Sequence, residues 1–394
     1  MDIASRISTL AKNAGGSGIR RVFDLAVKLK DPINLSIGQP DFPVPDSIKD
    51  AAIDAIRGAR NGYTPTQGIP PLRERLIAHI ERDLGWKVGA DDAAPAMIVT
   101  SGTSGGLMLA AMSLLDPGDE MIVPDPYFVL YPFLGQLAHA KAVPCDTYPD
   151  FRLTAERVAP LITERTKAVL LCSPGNPSGV VSTRRDCEEL LKLCRERGIV
   201  LISDEIYDEF AFSDATTDVA AGDASWKRCP SPARLPGAQD SVLLIRGFGK
   251  TYGITGWRMG YAAGPKPLID AMQRLQQYTY VCAPTPFQYG SIAALDVDMA
   301  PIVAEYETRR DMVVSRLREV TEVTTPGGAF YAFVKIPERM KMTGAQFFEK
   351  AAEQKVLVVP GGTFSRRDTH FRLSFATARP QLEKGLELLV GLMR

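Results

Sequence analysis

No sign of charge prevails in this sequence: 46 lysines and arginines stand against 46 aspartates and glutamates in 394 residues. A chain without net charge gives no electrostatic footing for nucleic acid or an anionic membrane, so neither is expected as a partner, and any anion site has to be local. Histidine is scarce, with only His79, His139 and His370, far apart in the chain. The six cysteines, at 145, 172, 187, 194, 229 and 282, include no C-x-x-C pair. Spacing therefore suggests no metal site, and reduced, mostly buried thiols are expected. No apolar run approaches the roughly 20 residues that a membrane-crossing helix needs. Residues 1–10 lack the apolar core of a signal peptide, so a cytoplasmic protein is expected. Inspection finds neither an internal repeat nor a low-complexity tract.

What is present is apolar material in quantity, 45% of the chain. At this length two domains are expected rather than one core. Residues 17–29 read as an amphipathic helix with Ile19, Phe23 and Ala26 on one stripe. Residues 33–45 read as a strand running into a proline-rich link, which suggests a domain boundary near residue 46. A loop at 61–68 precedes a helix at 70–82 that begins on prolines, where a missing N–H does no harm. Short apolar strands and helices then alternate at 97–100, 106–115, 120–123, 167–172, 183–197, 199–203 and 241–245. That alternation argues for a mainly parallel sheet covered by helices. Thr183 and Asp186 form a capping pattern, and Gly198 ends the helix that they begin. The polar stretch 214–240, broken by Pro230, Pro232 and Pro236, reads as a long surface loop. Pro284-Thr-Pro286 reads as a hinge to a smaller domain. That domain would hold helices at 300–320 and 344–354, strands at 329–334, 356–359 and 371–375, a terminal helix and the N-terminal segment.

The stretch richest in chemistry is 241–260, where an apolar run leads to Lys250 and Arg258 among glycines at 247, 249, 253, 256 and 260. Two nucleotide motifs come close here and fail. Gly249-Lys250-Thr251 copies the end of a P-loop, but that motif needs glycine at 244, where the chain has Leu244. Gly247-Phe-Gly249 starts a dinucleotide fingerprint, but the third glycine falls at 253 instead of 252. The apolar run and the glycines place Lys250 at a strand end rather than on a solvated helix; a surface lysine in a flexible turn is the other reading.

Other candidates fall at further strand ends, where open parallel sheets bind ligands. Residues 100–107, Thr-Ser-Gly102-Thr103-Ser104-Gly-Gly-Leu, join a strand to a helix whose unpaired N–H groups and dipole suit a phosphate, unless this is a plain turn. Arg258 can add a forked donor to the same anion. Asp204 ends the 199–203 strand, and an acid there needs a partner: a ring-nitrogen cation, or a helix cap or structural ion pair. Asn176, in a Ser-Pro-Gly-Asn-Pro-Ser-Gly turn, and Tyr207 can both donate to a phenolate oxygen, although turn and core roles serve such residues equally. Phe128 can stack on an aromatic ring or sit in the core. Arg372, between Phe371 and Leu373, is suited to a bidentate grip on a carboxylate.

Gly256-Trp-Arg258-Met-Gly260 resembles the G-x-R-x-G pattern after the cofactor-bearing lysine of class I/II aminotransferases. The order Gly38-x-Pro-Asp-Phe, Tyr63, the glycine-serine turn, Pro126-x-Phe128, Asn176-Pro-x-Gly, Asp204-x-x-Tyr207, Lys250, Arg258 and Arg372 extends that likeness over nearly the whole chain. It is similar to the pyridoxal-phosphate fold type I enzymes, especially the compact bacterial aspartate, alanine and aromatic aminotransferases. The resemblance implies an α/β fold: a large domain, 46–284, with a mainly parallel seven-stranded sheet, and a smaller α+β domain from 1–45 and 285–394. It implies pyridoxal 5'-phosphate as cofactor, a homodimer with shared sites, and amino acids and 2-oxo acids as substrates. By the same likeness Lys250 holds the cofactor aldehyde, Asp204 the pyridine nitrogen, Asn176 and Tyr207 the phenolic oxygen, and Phe128 stacks on the ring. Gly102, Thr103, Ser104 and Arg258 hold the phosphate, with Tyr63 reaching in from the partner subunit. Arg372 takes the substrate α-carboxylate, and Gly38 lets it approach the backbone. Related enzymes often carry serines where this chain has Gly247 and Gly249, so two hydroxyl contacts to the cofactor are missing.

Two rivals remain within reach of the same residues. A C–S β-lyase would use the same cofactor and lysine. A non-catalytic regulator would resemble a DNA-binding module fused in front of this fold, whereas only about 45 residues, not notably basic, precede the expected large domain.

Overall fold

The structure, a computed structural model, describes residues 1–14, Gly18, Val22 and 29–394. The stripe expected at Ile19, Phe23 and Ala26 lies outside the described residues. Seven strands form the main sheet, in the order Ala96–Ser101, Met259–Gly264, Val242–Gly247, Val200–Asp204, Thr166–Cys172, Glu120–Asp125 and Lys141–Asp146. All neighbours are parallel except at Met259–Gly264, which runs antiparallel to both strands beside it. The mainly parallel seven-stranded sheet is therefore present. Its central strands are buried on both faces, which is why they read as unbroken aliphatic runs.

The antiparallel strand follows from chain length. Residues 248–258 are too few for the crossover that a parallel partner requires, so the chain turns straight back. Lys250 and Arg258 are thereby kept at the end of the sheet where Asp204 and Cys172 also finish their strands. The returning strand, Met-Gly-Tyr-Ala-Ala-Gly, has little β-branched character. Small residues are needed there: a Cβ on Gly260 would lie 2.7 Å from the Gly102 carbonyl carbon, and one on Gly264 would lie 2.7 Å from the Val242 oxygen.

Helix ends agree with the sequence. Thr183 Oγ1 accepts from the Asp186 N–H at 3.2 Å, and the Asp186 carboxylate accepts from the Thr183 N–H at 2.8 Å, a complete capping box. The helix Pro70–Leu84 starts on its two prolines. No helix among the described residues is long and apolar enough to cross a membrane.

Two expectations change. The strand expected to open 33–45 is short, Ile33–Asn34 paired with Val356–Leu357, and the rest of that stretch, with the proline-rich link, lies outside any strand. The expected surface loop 214–240 contains a hairpin, Asp218–Ala220 with Asp223–Arg228, and buries Arg228, Ser231 and Ala233. Charge draws it inward. Arg228 meets Asp208 at 2.7 Å and Glu209 at 2.7 Å, Arg234 meets Asp83 at 2.9 Å, and Arg246 meets Asp83 at 2.7 Å and Glu205 at 2.8 Å.

A second apolar cluster gathers Phe330, Phe333, Phe347, Phe364 and Phe371 around the antiparallel sheet Tyr331–Lys335, His370–Ser374 and Val359–Pro360. The helix Thr285–Ala294 lies beyond residue 284, yet it puts Ala294 into the main sheet's cluster, with Phe287 and Tyr289 packed on it.

Asp83 is fully buried among three arginines. Removing one partner from a buried charge network typically costs about 3–5 kcal/mol. Asp83→Asn is expected to lower the unfolding free energy in urea by that order; a loss no larger than the roughly 1 kcal/mol of an exposed pair would deny the cluster a structural role.

Candidate active site

A cavity of about 360 Å³ opens at the carboxyl end of the main sheet, between it and the smaller sheet. Gly38, Gly102, Thr103, Ser104, Phe128, Asn176, Asp204, Tyr207, Lys250, Arg258 and Arg372 all line it. Residues separated by up to 334 positions in sequence thus converge on one volume. Tyr63 does not line it and stands 88% exposed on the surface.

Lys250 lies in the single turn Phe248–Thr251, directly after the strand Val242–Gly247. Its Nζ donates to the Gly38 carbonyl and has no acidic partner among the described residues. Burial, with Arg372 and Arg258 nearby, lowers its pKa to about 8. An amine so depressed is part neutral near pH 8, which is what nucleophilic and general-base work demands.

Asp204 is the mirror case. Burial raises its carboxyl to about 6, although Tyr131 and the Ile206 N–H pull the other way. Tyr131 donates to Oδ2 at 2.8 Å and the Ile206 N–H to Oδ1 at 3.3 Å. No cation faces it among the described residues, so a buried acid is left ready for a positively charged ligand group.

An anion cradle lies opposite. The helix Gly102–Leu114 begins after Ser101, whose side chain makes no capping bond, so first-turn N–H groups stay free. Gly102 has φ +67°, and a Cβ there would lie 2.6 Å from Arg258 Nη2. Only glycine lets the guanidinium come so close to that turn. Arg258 itself holds φ +56° and donates to the Thr255 carbonyl at 2.8 Å. At the two departures the space is tight: a Cβ on Gly247 would meet Ile206 Cδ1 at 2.8 Å and Thr103 Cγ2 at 2.9 Å, and one on Gly249 would meet Thr255 Cα at 3.3 Å.

Arg372, 1% exposed, donates to Asn176 Oδ1 at 3.0 Å and to the Ser36 carbonyl at 2.9 Å, while its Nε has no partner. The rings of Tyr331 and Phe364 lie 4.4 and 4.6 Å from its guanidinium carbon. No carboxylate answers it among the described residues. Gly38 sits beside it, and a Cβ there would be 3.0 Å from the Tyr331 hydroxyl. Tyr207 and Tyr331 share a hydroxyl contact of 3.1 Å. Sequence reasoning missed Tyr131, Cys172 and Tyr331, all of which line the cavity. Tyr131 lay three residues past Phe128 in an aromatic run; Tyr331, inside an apolar strand, carried no signal separating it from core.

Comparison with known proteins agrees with this geometry. The family profile "Aminotransferase class I and II" matches residues 30–389. A probable aspartate aminotransferase of Methanocaldococcus jannaschii is 36% identical, covering 97% of this chain and 98% of its own. Aromatic-amino-acid aminotransferase 2 of Thermococcus litoralis is 33% identical, with 96% of each covered. The solved aspartate aminotransferase of Thermotoga maritima superposes with a TM-score of 0.89 at 32% identity, covering 98% of this chain and 99% of that one. The chain belongs to the class I and II aminotransferases, enzymes that depend on pyridoxal phosphate and have the type I fold.

The Lys250 amine is expected to be acylated, in cofactor-free protein, with a pH midpoint near about 8. Mass-spectrometric mapping of the modified lysine against pH checks this. A midpoint at the ordinary lysine value of about 10.4 would show that burial does not tune it.

Proposed function

We propose that the chain moves the amino group of an aspartate, alanine or aromatic L-amino acid to a 2-oxo acid such as 2-oxoglutarate, with Lys250 doing the proton transfers. The observation that carries this reading is Arg372: a buried guanidinium that has, among the described residues, a free N–H and no acidic partner, and that shares its cavity with a lysine of lowered pKa. The relatives named for aspartate and for aromatic amino acids supply the donor classes.

The cofactor fits these residues. The unanswered carboxylate of Asp204 would hold the protonated ring nitrogen, and Asn176 and Tyr207 would donate to the phenolic oxygen. Phe128 would lie against the ring. The N–H groups of Gly102, Thr103 and Ser104, with the Arg258 fork, would take the phosphate. When bound, pyridoxal 5'-phosphate supplies an aldehyde for amines and an electron-poor ring that stabilises negative charge at the substrate Cα. Lys250, buried in the cavity with a lowered pKa, would take up and give back the substrate Cα proton. Its low pKa keeps a neutral fraction available for that step. Arg372 grips the α-carboxylate by both arms, and Gly38, having no side chain, leaves room beside it.

We also propose two domains, 46–284 and 1–45 with 285–394, closing on this cavity, with the helix Thr285–Ala294 riding on the first. Gly38, Tyr331 and Arg372 come from the second and the remaining site residues from the first. A homodimer completes the reading. Tyr63 and Tyr278 are 88% and 87% exposed, and Ile56, Met108, Met112 and Val281 are exposed as well, side chains that a second copy would cover. The Tyr63 loop is tied to this region by the Thr285 hydroxyl, which donates to the Gly62 carbonyl at 2.7 Å. Tyr63 would then serve the neighbour's phosphate site.

Arg372→Lys keeps the charge and loses the fork. It is expected to weaken every amino donor and 2-oxo acceptor together in kcat/KM, by about 1.5–3 kcal/mol. A loss confined to aspartate and 2-oxoglutarate would move Arg372 to the side-chain carboxylate. Sedimentation of active enzyme is expected to show a dimer, and a fully active monomer would remove Tyr63 from the site.

A further inference from the structure

Tyr131 sits at the start of the helix Leu130–Leu137, and its hydroxyl supplies the one side-chain hydrogen bond to Asp204 among the described residues. Its ring is 1% exposed and meets the Phe128 ring edge-on, with centroids 5.8 Å apart and planes at 81°. The Tyr131 N–H donates to the Phe128 carbonyl at 2.9 Å, so one turn of backbone delivers both the ring that faces the cofactor position and the donor to the acid. Burial, and then the nearby Asp204 charge, hold the Tyr131 phenol well above the ordinary tyrosine pKa, so it remains a donor throughout the working range of pH.

A carboxylate at a strand end can rotate about its last bond and can take up a proton. Both freedoms are restricted here. Tyr131 occupies Oδ2 and the Ile206 N–H occupies Oδ1, which sets the carboxylate plane and leaves its remaining lone pairs for the cavity. The other groups around it do not do this. Cys172, on the neighbouring strand, is a thiol pushed up to about 12 by burial. Glu205, next in the chain, is held by Arg246 at 2.8 Å. Tyr207 is bonded to Tyr331, and Lys250, Arg258 and Arg372 donate to carbonyl groups or to Asn176.

We propose that Tyr131 is a positioning residue for amino-group transfer: its hydroxyl keeps the Asp204 carboxylate ionised and correctly turned for a protonated ring nitrogen. The inference rests on the reading of Asp204 as the partner of that nitrogen. It assigns Tyr131 no contact with substrate and no proton transfer. Its effect passes through the acid alone.

The test uses Tyr131→Phe, which keeps the ring and its packing and removes only the donor. In full-length cofactor-free protein labelled with 13C-carboxyl aspartate, the Asp204 resonance is identified by its loss in Asp204→Asn and followed against pH. The wild-type midpoint is expected at about 6. Tyr131→Phe is expected to raise it by about one pH unit, since a hydrogen bond to the charged form favours ionisation. Site-specific 3-fluorotyrosine at 131, a stronger donor of nearly the same shape, is expected to lower it, so the idea stays exposed even if the phenylalanine variant folds poorly. Affinity for pyridoxal 5'-phosphate at pH 7 is expected to fall about tenfold in Tyr131→Phe and to show no further fall when the change is made in Asp204→Asn. A midpoint that stays put, or an equal loss of affinity in both backgrounds, would overturn the proposal. Wild-type affinity and turnover in Asp204→Asn alone would instead strike at the role of Asp204, and leaves the midpoint experiment to judge Tyr131 separately.

Discussion

Lys250, Asp204 and Arg372 share one small cavity, and among the described residues none of them is paired with an opposite charge. Burying charge without a counterion is costly, so the rest of the architecture can be understood as what makes it tolerable. Each group leans on neutral partners instead: a glycine carbonyl for the lysine, a phenol and a backbone N–H for the acid, a carbonyl, an amide oxygen and two aromatic faces for the arginine. Those partners stabilise the ions without neutralising them. The free capacity of all three points at the place where an amino acid and an aldehyde cofactor would meet.

Directly beneath lies the opposite arrangement. Arg246 is four residues before Lys250, Glu205 is next to Asp204 and Asp208 is next to Tyr207, and Arg246 binds both acids, Glu205 at 2.8 Å and Asp208 at 3.0 Å. With Asp83, Arg228 and Arg234 they make a buried network in which charge is answered by charge. Neighbours in sequence are therefore divided between two duties. Arg246, Glu205 and Asp208 are bound into the ionic network, while Lys250, Asp204 and Tyr207 line the cavity.

That division explains which parts of the molecule could be read in advance. The parallel strands were legible because burial on both faces demands unbroken aliphatic runs, and their ends were legible because Lys250, Asp204 and Asn176 are costly residues to place there without purpose. The returning strand Met259–Gly264 was not, because close approach to Gly102 and Val242 selects small residues over strand formers. The hairpin within 214–240 was hidden by polar composition, since its burial depends on arginines whose acidic partners lie as far away as Asp83. Tyr131 and Tyr331 look like core aromatics, and only the fold reveals that their hydroxyls face Asp204 and Tyr207. Tyr63 remains on the outer surface of a single chain, where its expected use requires a second copy.

As an aminotransferase, the protein stores an amino group between two substrates rather than splitting one of them. Release of 2-oxo acid from purified holoenzyme mixed with an L-amino acid, in the absence of any acceptor, tests it most directly. A burst of about one equivalent per chain is expected, which stops and resumes when 2-oxoglutarate is added, the behaviour of a double-displacement cycle. Continuous formation of pyruvate and ammonia from a cysteine conjugate without an acceptor would contradict it and make the protein a C–S lyase.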